Sequence, residues 1–222
     1  VQQTTWDLRY ASRGEVKGLK KYKSDKDKDA GRLTLPGTYS VQLYLLSDDS
    51  VYALTEPKSF KTKWLVDPIL SEEDKQKKAD FTASAAELRA TVSSLNLGYQ
   101  QSAKRVDTLK SVLKRTSGAS PKIYQELIEQ ERELDNIKQV LYGDESLSKR
   151  EFETPNSLNS KVGLILYGLW NNYQAPTETQ TAFFRQGLIE VKSVRSSLTN
   201  IQSELEDIAN ELRDKGAPPF EW

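Results

Sequence analysis

The sequence predicts an α+β chain of two domains, a small antiparallel β-sandwich with an immunoglobulin-like layout and then an elongated antiparallel four-helix bundle. Before Asp67-Pro68, apolar residues alternate with polar ones, which buries one face of a sheet. Beyond it they recur every three and four residues, which buries one seam of a helix. A length of 222 residues, with 36% hydrophobic and 29% charged residues, suits two domains. We therefore assign residues 1–68 to the sandwich, 69–217 to the bundle and 218–222 to a tail.

Three residue types with distinctive chemistry are missing from the composition. The chain contains no His, no Cys and no Met. It therefore has no imidazole base, no thiolate nucleophile, no disulfide and no nitrogen or sulfur ligand set for a metal. Catalysis would depend on carboxylates, Lys, Tyr or Ser. We predict no catalytic site, no cofactor and no metal site.

The charges of the chain balance, with 32 basic and 32 acidic residues. Such a chain has no net field that attracts nucleic acid or an anionic membrane surface. No apolar run approaches the roughly 18 residues that a bilayer span needs. We expect neither nucleic acid nor a membrane span. The chain begins at Val1 and has no targeting stretch, which we interpret as the sign of a piece of a longer polypeptide.

Alternating apolar residues predict the strands of the first domain. Trp6, Leu8 and Tyr10 would share one face of a half-buried strand over residues 4–10. A sheet this small exposes its edges, so we expect it to lean on a neighbour. Further strands are predicted at residues 39–45, 51–54 and 59–66, after turns at Pro36-Gly37 and at 47–50.

The charged segment 20–29 lies between the first two long strands. Asp25 begins an alternation of three aspartates like the one that opens an EF-hand calcium loop. Ala30, however, stands where that loop needs Gly, and Pro36 stands where it needs Glu. We interpret the segment as a solvated hairpin loop, with calcium binding as the alternative.

Cap residues and heptad spacing predict four helices in the second domain. Ser71 and three following acids begin the first helix, and Ser120 with a first-turn proline begins the second. The first and last helices are long and the two between them are short. They cover residues 71–117, 120–143, 155 onward and 176–216.

The third predicted helix contains the run 162–170, which is apolar on nearly every face. Such a run predicts a central, fully covered segment. A cofactor pocket is the alternative, but a packed core is far more common. Gly163 and Gly168 within the run would let a neighbouring helix approach closely.

Short connections make consecutive helices antiparallel, so we expect a down-up-down-up order in which two long helices embrace two short ones. In that order the fourth helix returns toward the sandwich and brings the tail with it. Trp64, Phe220 and Trp222 are therefore the candidates for interdomain packing. A free tail is the alternative.

Four carboxylates lie between the second and third predicted helices. A glycosidase needs two carboxyls about 5–10 Å apart across a cleft, with the pKa of one raised by an apolar wall. Nothing in this polar connection predicts the wall or the cleft, so we favour solvated charges. The four residues are Asp144, Glu145, Glu151 and Glu153.

Three segments resemble the C-terminal region of secreted bacterial proteins with a sortilin-like, VPS10-type β-propeller, often labelled BNR-repeat glycosyl hydrolases. They are W-D-L-R-Y at residues 6–10, L-P-G-T-Y at 35–39, and Asp67-Pro68 before a long helix. The resemblance covers nearly the whole chain and implies an immunoglobulin-like module followed by helices. It also implies that a propeller precedes this region and would hold any catalytic site. The charged segment 20–29 departs from the family pattern, in which a more Gly-rich segment is expected at this position.

These observations predict a non-enzymatic spacer and docking module of a secreted protein, located outside the cell or in the periplasm. Its partner would be the N-terminal β-propeller of the same chain or another protein. One alternative is a fragment that contributes carboxylates to a glycoside hydrolase. The other is a coiled-coil module that self-associates through its long helices. The ligand and the oligomeric state stay open.

Overall fold

A computed structural model describes residues 5–11, 31–47, 49–65, 70–150, 152–172 and 174–221. The charged segment 20–29 and the Asp67-Pro68 junction lie outside these residues. The described part is α+β, with four short strands followed by five helices. The strands are β1 (Gly37–Val41), β2 (Tyr44–Ser47), β3 (Ser50–Ala53) and β4 (Lys58–Thr62). The helices are α1 (Glu72–Leu113), α2 (Pro121–Tyr142), α3 (Glu145–Ser148), α4 (Leu158–Asn171) and α5 (Glu178–Asp214).

The strands form two separate antiparallel sheets of two strands each. β1 pairs with β4, and β2 pairs with β3 as a hairpin. The predicted strand over residues 39–45 is divided between the two sheets, because the chain leaves the first sheet after Val41. There Leu43 N–H donates to Thr55 Oγ1 at 3.2 Å instead of extending the ladder. The immunoglobulin-like sandwich stays a prediction.

The predicted strand over residues 4–10 is wrong in its described part, residues 5–10. Leu8 has a φ of +61°, which interrupts extended backbone. Trp6 Nε1 donates to the carbonyl oxygen of Arg9 at 2.8 Å, so the segment curls back on itself. An isolated antiparallel bridge between Arg9 and Leu33 pairs the segment with the chain before β1, through the bonds Tyr10 N–H to Arg32 O at 2.9 Å and Thr34 N–H to Leu8 O at 2.8 Å.

The apolar side chains of the β region (described residues 5–11, 31–47 and 49–65) lie largely on its surface. None of these described residues is buried. Trp6 packs edge-on against Tyr39 at 5.3 Å and Phe60 at 5.9 Å between ring centroids. On the β2–β3 hairpin, by contrast, Leu46 is 76% exposed and Val51 is 65% exposed.

Helix starts follow the caps in the sequence. Ser71 Oγ accepts from Asp74 N–H at 3.1 Å, and Thr177 closes a capping box with Gln180 at the start of α5. These contacts confirm the predicted starts of α1 and α5. α4 begins at Leu158, later than predicted, because Ser157 rather than Pro155 supplies the cap.

The predicted down-up-down-up order is wrong, because α2 and α4 run in the same direction. Along α1, Tyr99 packs on Tyr142 of α2 with ring centroids 5.9 Å apart, and Asn96 bonds Asn159 of α4. Nearer the start of α1, Lys78 Nζ donates to the carbonyl oxygen of Asn172, the residue that follows α4. The two shorter helices thus lie end to end and together return along the whole of α1.

α5 consequently runs parallel to α1. Phe81 of α1 packs on Phe184 of α5 with centroids 5.4 Å apart, and Gly98 of α1 lies beside Leu198 of α5. We call the end of the helical region at which α1 starts, at Glu72, the near end, and the opposite end the far end. Both long helices start at the near end and finish at the far end. At most levels the helices therefore stand in three rows, α1, α5 and the stacked pair α2 and α4.

The C-terminal tail lies at the far end, so the predicted return of Phe220 to the sheet is wrong. α5 ends in a Schellman motif in which Gly216 has a φ of +75° and Ala217 N–H donates to Leu212 O at 3.0 Å. Phe220 then packs against the helical core, with the Arg213 guanidinium 5.1 Å from its ring. Trp222 lies outside the described residues.

The buried apolar residues of the described chain all lie in helices, from Ala85 to Leu212. Within each helix they recur mostly at spacings of three and four residues, as the sequence predicts. In α5 Gly187 takes an inward position and lies against Leu88 and Leu158, whereas the neighbouring Leu188 is exposed.

Leu205 tests the seam of α5, because its side chain is fully buried. We expect Leu205→Ala to lower the free energy of unfolding by about 2–5 kcal/mol, from lost burial and the cavity left behind. Leu188→Ala is the matched control on the same helix, with Leu188 49% exposed, and should cost less than about 1 kcal/mol. Urea unfolding followed by circular dichroism at 222 nm measures both, and equal losses would contradict the seam.

The helices should fold without the β region. A chain of residues 69–222, which keeps Phe220 on the core, should show a cooperative thermal transition within a few degrees of the full chain. Residues 1–68 alone should show no cooperative transition, because their described part buries no side chain. Far-ultraviolet circular dichroism against temperature measures both pieces. A cooperative transition in the 1–68 piece would show that the sheets are independently stable.

Candidate functional site

A cavity of about 550 Å³ lies between the β region and the near end of the helices. Leu33 and Trp64 line it from the β region, and Lys78 lines it from α1. Leu169 and Trp170 of α4 complete the helical side. Its volume falls within the range of small-molecule sites, about 300–1,000 Å³.

The cavity is basic. Among its described lining residues five are Lys or Arg, and none is Asp or Glu. These cations come from four separate parts of the chain, so the fold and not a local charge run brings them together. They are Arg9, Arg32, Lys63, Lys75 and Lys78.

The two arginines of the cavity are held by backbone and aromatic contacts. Arg9 Nη1 donates to Gly31 O at 2.9 Å, and its guanidinium lies 5.9 Å from the ring centre of Trp170. Arg32 lies 4.0 Å over the ring of Tyr10. Such cation–π contacts orient a guanidinium without neutralising its charge.

The two lysines of α1 stand one turn apart on the cavity side of the helix. Lys78 Nζ donates to the carbonyl oxygen of Asn172, and burial lowers the pKa of Lys78 below its ordinary value. Lys75 pairs with Glu72 at 2.7 Å. The lowered pKa of Lys78 reflects the partial loss of hydration of its ammonium group.

Of the predicted interdomain residues, Trp64 lines this cavity and is 38% exposed. Phe220 stands at the opposite end of the helices, and Trp222 falls outside the described residues. Sequence reasoning missed the basic lining because its residues are distant in the chain. A usable signal was Lys75, Lys78 and Thr82, whose three- and four-residue spacing places them on one face of α1.

The run 162–170 is not fully covered, which corrects the prediction for α4. Its inward residues are buried, but Tyr167 is 70% exposed and Trp170 is 62% exposed. A side chain added at Gly163 would meet open space, whereas at Gly168 it would meet Gln180. The physical reason is that α4 has neighbours in two rows only, so its third side faces outward.

Asp144 and Glu145, in the connection between α2 and α4, do not have the raised pKa that the acid of a glycosidase pair needs. Asp144 caps the short helix α3, and hydrogen bonds from Ser146 and from the Leu147 N–H hold the pKa of Asp144 below its ordinary value. A general acid needs a raised pKa instead.

Glu145 shows the same character as Asp144. The ammonium group of Lys149, 2.7 Å away, holds the pKa of Glu145 below its ordinary value. Glu153 is exposed, and Glu151 lies outside the described residues. Within the described ranges no group of three or more acidic residues is placed to hold a metal ion.

None of the helices that the structure describes combines the length and the hydropathy of a membrane span. Comparison of the chain with protein-family models, with curated proteins and with solved structures finds no match. The resemblance to propeller-bearing proteins therefore depends on its own sequence segments.

Carboxyl titration tests the acid–base character of the α2–α4 connection. In a carbon-13 NMR titration, the midpoint of Asp144 should lie below pH 3.8 and that of Glu145 below pH 4.5. Both carboxylates accept hydrogen bonds that favour the charged form. Asp144→Asn and Glu145→Gln assign the two signals. A midpoint above pH 5 for either carboxyl would contradict this prediction and would make that carboxyl a candidate general acid.

Proposed function

We propose that the chain is a non-catalytic spacer and docking module of a secreted bacterial protein, and that its partner is a β-propeller in the same polypeptide. The observation that carries this proposal is the β2–β3 hairpin. Leu46, Val51 and Tyr52 are 76%, 65% and 55% exposed, although strand residues of this kind are normally packed. A docking partner would remove this apolar surface from water.

The finer architecture belongs to the same proposal. The two sheets would form part of an immunoglobulin-like sandwich over residues 1–68, with the helical domain over 69–217 and the tail after it. The parent would be extracellular or periplasmic, as the resemblance implies. The spacer role is supported by α1 and α5, whose 42 and 37 residues give parallel rods of about 55–65 Å.

The two alternatives have less support. A contribution to glycoside hydrolysis conflicts with the lowered pKa values of Asp144 and Glu145. Self-association through the heptad seams conflicts with their use inside the chain, since Val106, Leu127 and Leu198 already pack in one core. A docking role needs neither an acid catalyst nor a free seam.

The proposal is tested first by the coding sequence upstream of residue 1, which should encode propeller repeats and a signal peptide. The isolated propeller should then bind the chain in isothermal titration calorimetry. Leu46→Asp should weaken that binding by about tenfold or more, because it places a charge in the apolar contact.

Ile189→Asp is the matched control, because Ile189 is 72% exposed but belongs to α5 and not to the hairpin. It should leave the affinity unchanged. An unrelated upstream sequence would overturn the identity of the partner. Equal loss of affinity in both variants, or none in either, would overturn the hairpin as the docking surface.

A further inference from the structure

We propose that the basic cavity between the β region and the helices is a binding site for a small amphiphilic anion, a molecule with an aliphatic tail and a carboxylate or phosphate head. This goes beyond the docking role, because it assigns a ligand to a different surface. The two surfaces can be tested separately, since Leu46 and Val51 do not line the cavity.

The anionic head is inferred from the charges of the lining. Five cations converge there from four segments, and no described lining residue carries a negative charge. Lys78 belongs to this set and is partly withdrawn from water between α1 and Asn172. An anion in the cavity could accept a hydrogen bond from the Lys78 ammonium group, and Arg9 of the β region would add a second charged donor.

The aliphatic tail is inferred from the apolar surface of the same cavity. Leu33, Trp64 and Trp170 all line it, and they are 60%, 38% and 62% exposed. The chain itself therefore leaves these side chains in contact with water. Leu169, which is nearly fully buried, also lines the cavity. A tail in contact with these residues would bury apolar area on both molecules.

The combination argues against other ligand classes. A free inorganic anion would contact the cations and leave the tryptophans exposed, whereas a neutral lipid would cover the apolar side chains and make no ionic contact with the cations. The volume of about 550 Å³ also suits a small molecule better than a folded partner. An amphiphilic anion uses both parts of the lining.

Calorimetric titration of the full chain with decanoate and with decyl phosphate, each below its micelle concentration, tests the proposal. We expect saturable one-to-one binding of at least one of them, and the stronger ligand identifies the head group. Decanol and decyltrimethylammonium carry the same tail without the negative charge, and should bind at least about tenfold more weakly.

Variants locate the site. Lys78→Gln and Arg9→Gln should each weaken binding by about tenfold, because each removes one charged donor from the cavity. Lys77→Gln is the matched control, because Lys77 lies on the same helix, is exposed and pairs with Glu73 at 2.7 Å. It should bind like the unchanged chain.

Thermal melting of each variant checks that it folds. If Lys78→Gln does not fold, the affinity of Arg9→Gln decides the location of the site. The proposal is overturned if neither anion binds saturably, or if decanol or decyltrimethylammonium binds as tightly as the anions. It is also overturned if the folded variants Lys78→Gln and Arg9→Gln keep the original affinity.

Discussion

The arrangement of the helices depends on the polar bridge that Asn159 makes near the middle of α1. Its Nδ2 donates to Leu141 O at 2.7 Å and to Asn96 Oδ1 at 3.1 Å, while Asn96 Nδ2 donates back to Asn159 Oδ1 at 2.9 Å. Leu141 belongs to the last turn of α2, where carbonyl oxygens have no partner within the helix. One amide side chain thus joins the end of α2, the start of α4 and α1.

This bridge sets the direction of everything that follows. Because α4 continues the path of α2, the chain arrives at the near end before α5 begins, and α5 must then run parallel to α1. The three-row packing leaves one side of α4 without a helical neighbour, which places Trp170 at the edge of the basic cavity. A second polar contact, between Lys161 of α4 and Glu190 of α5, fixes the other side of the same helix.

The sequence predicted the positions of the long helices well and their relative directions poorly, for a physical reason. Caps are local, so Ser71 and Thr177 could be identified from a few neighbouring residues. A seam, however, says that one face of a helix is buried and does not say which way its neighbour runs. The connection after Gly143 is long enough either to reverse the chain or to continue its course, and only the packed structure distinguishes the two.

The cavity and the β region were predictable to a smaller extent. Alternation located the strands within a few residues, but the positive φ of Leu8 has no signal in its residue type. Trp64 was identified by its place in the connection, whereas Arg9 and Arg32 become neighbours of α1 only through tertiary contacts. The same limit applies to the outward side of α4, because its sequence is apolar whether or not a partner covers it.

The parallel course of α1 and α5 has a mechanical consequence. The β region adjoins the start of α1, and the tail follows the end of α5, so these two segments stand at opposite ends of the helices. Tension between them would act along the helix axes and would slide α1 past α5. Sliding strains all the contacts of a seam together, whereas peeling breaks them one after another. The helical region is therefore built to resist stretching along its axis better than prying across it.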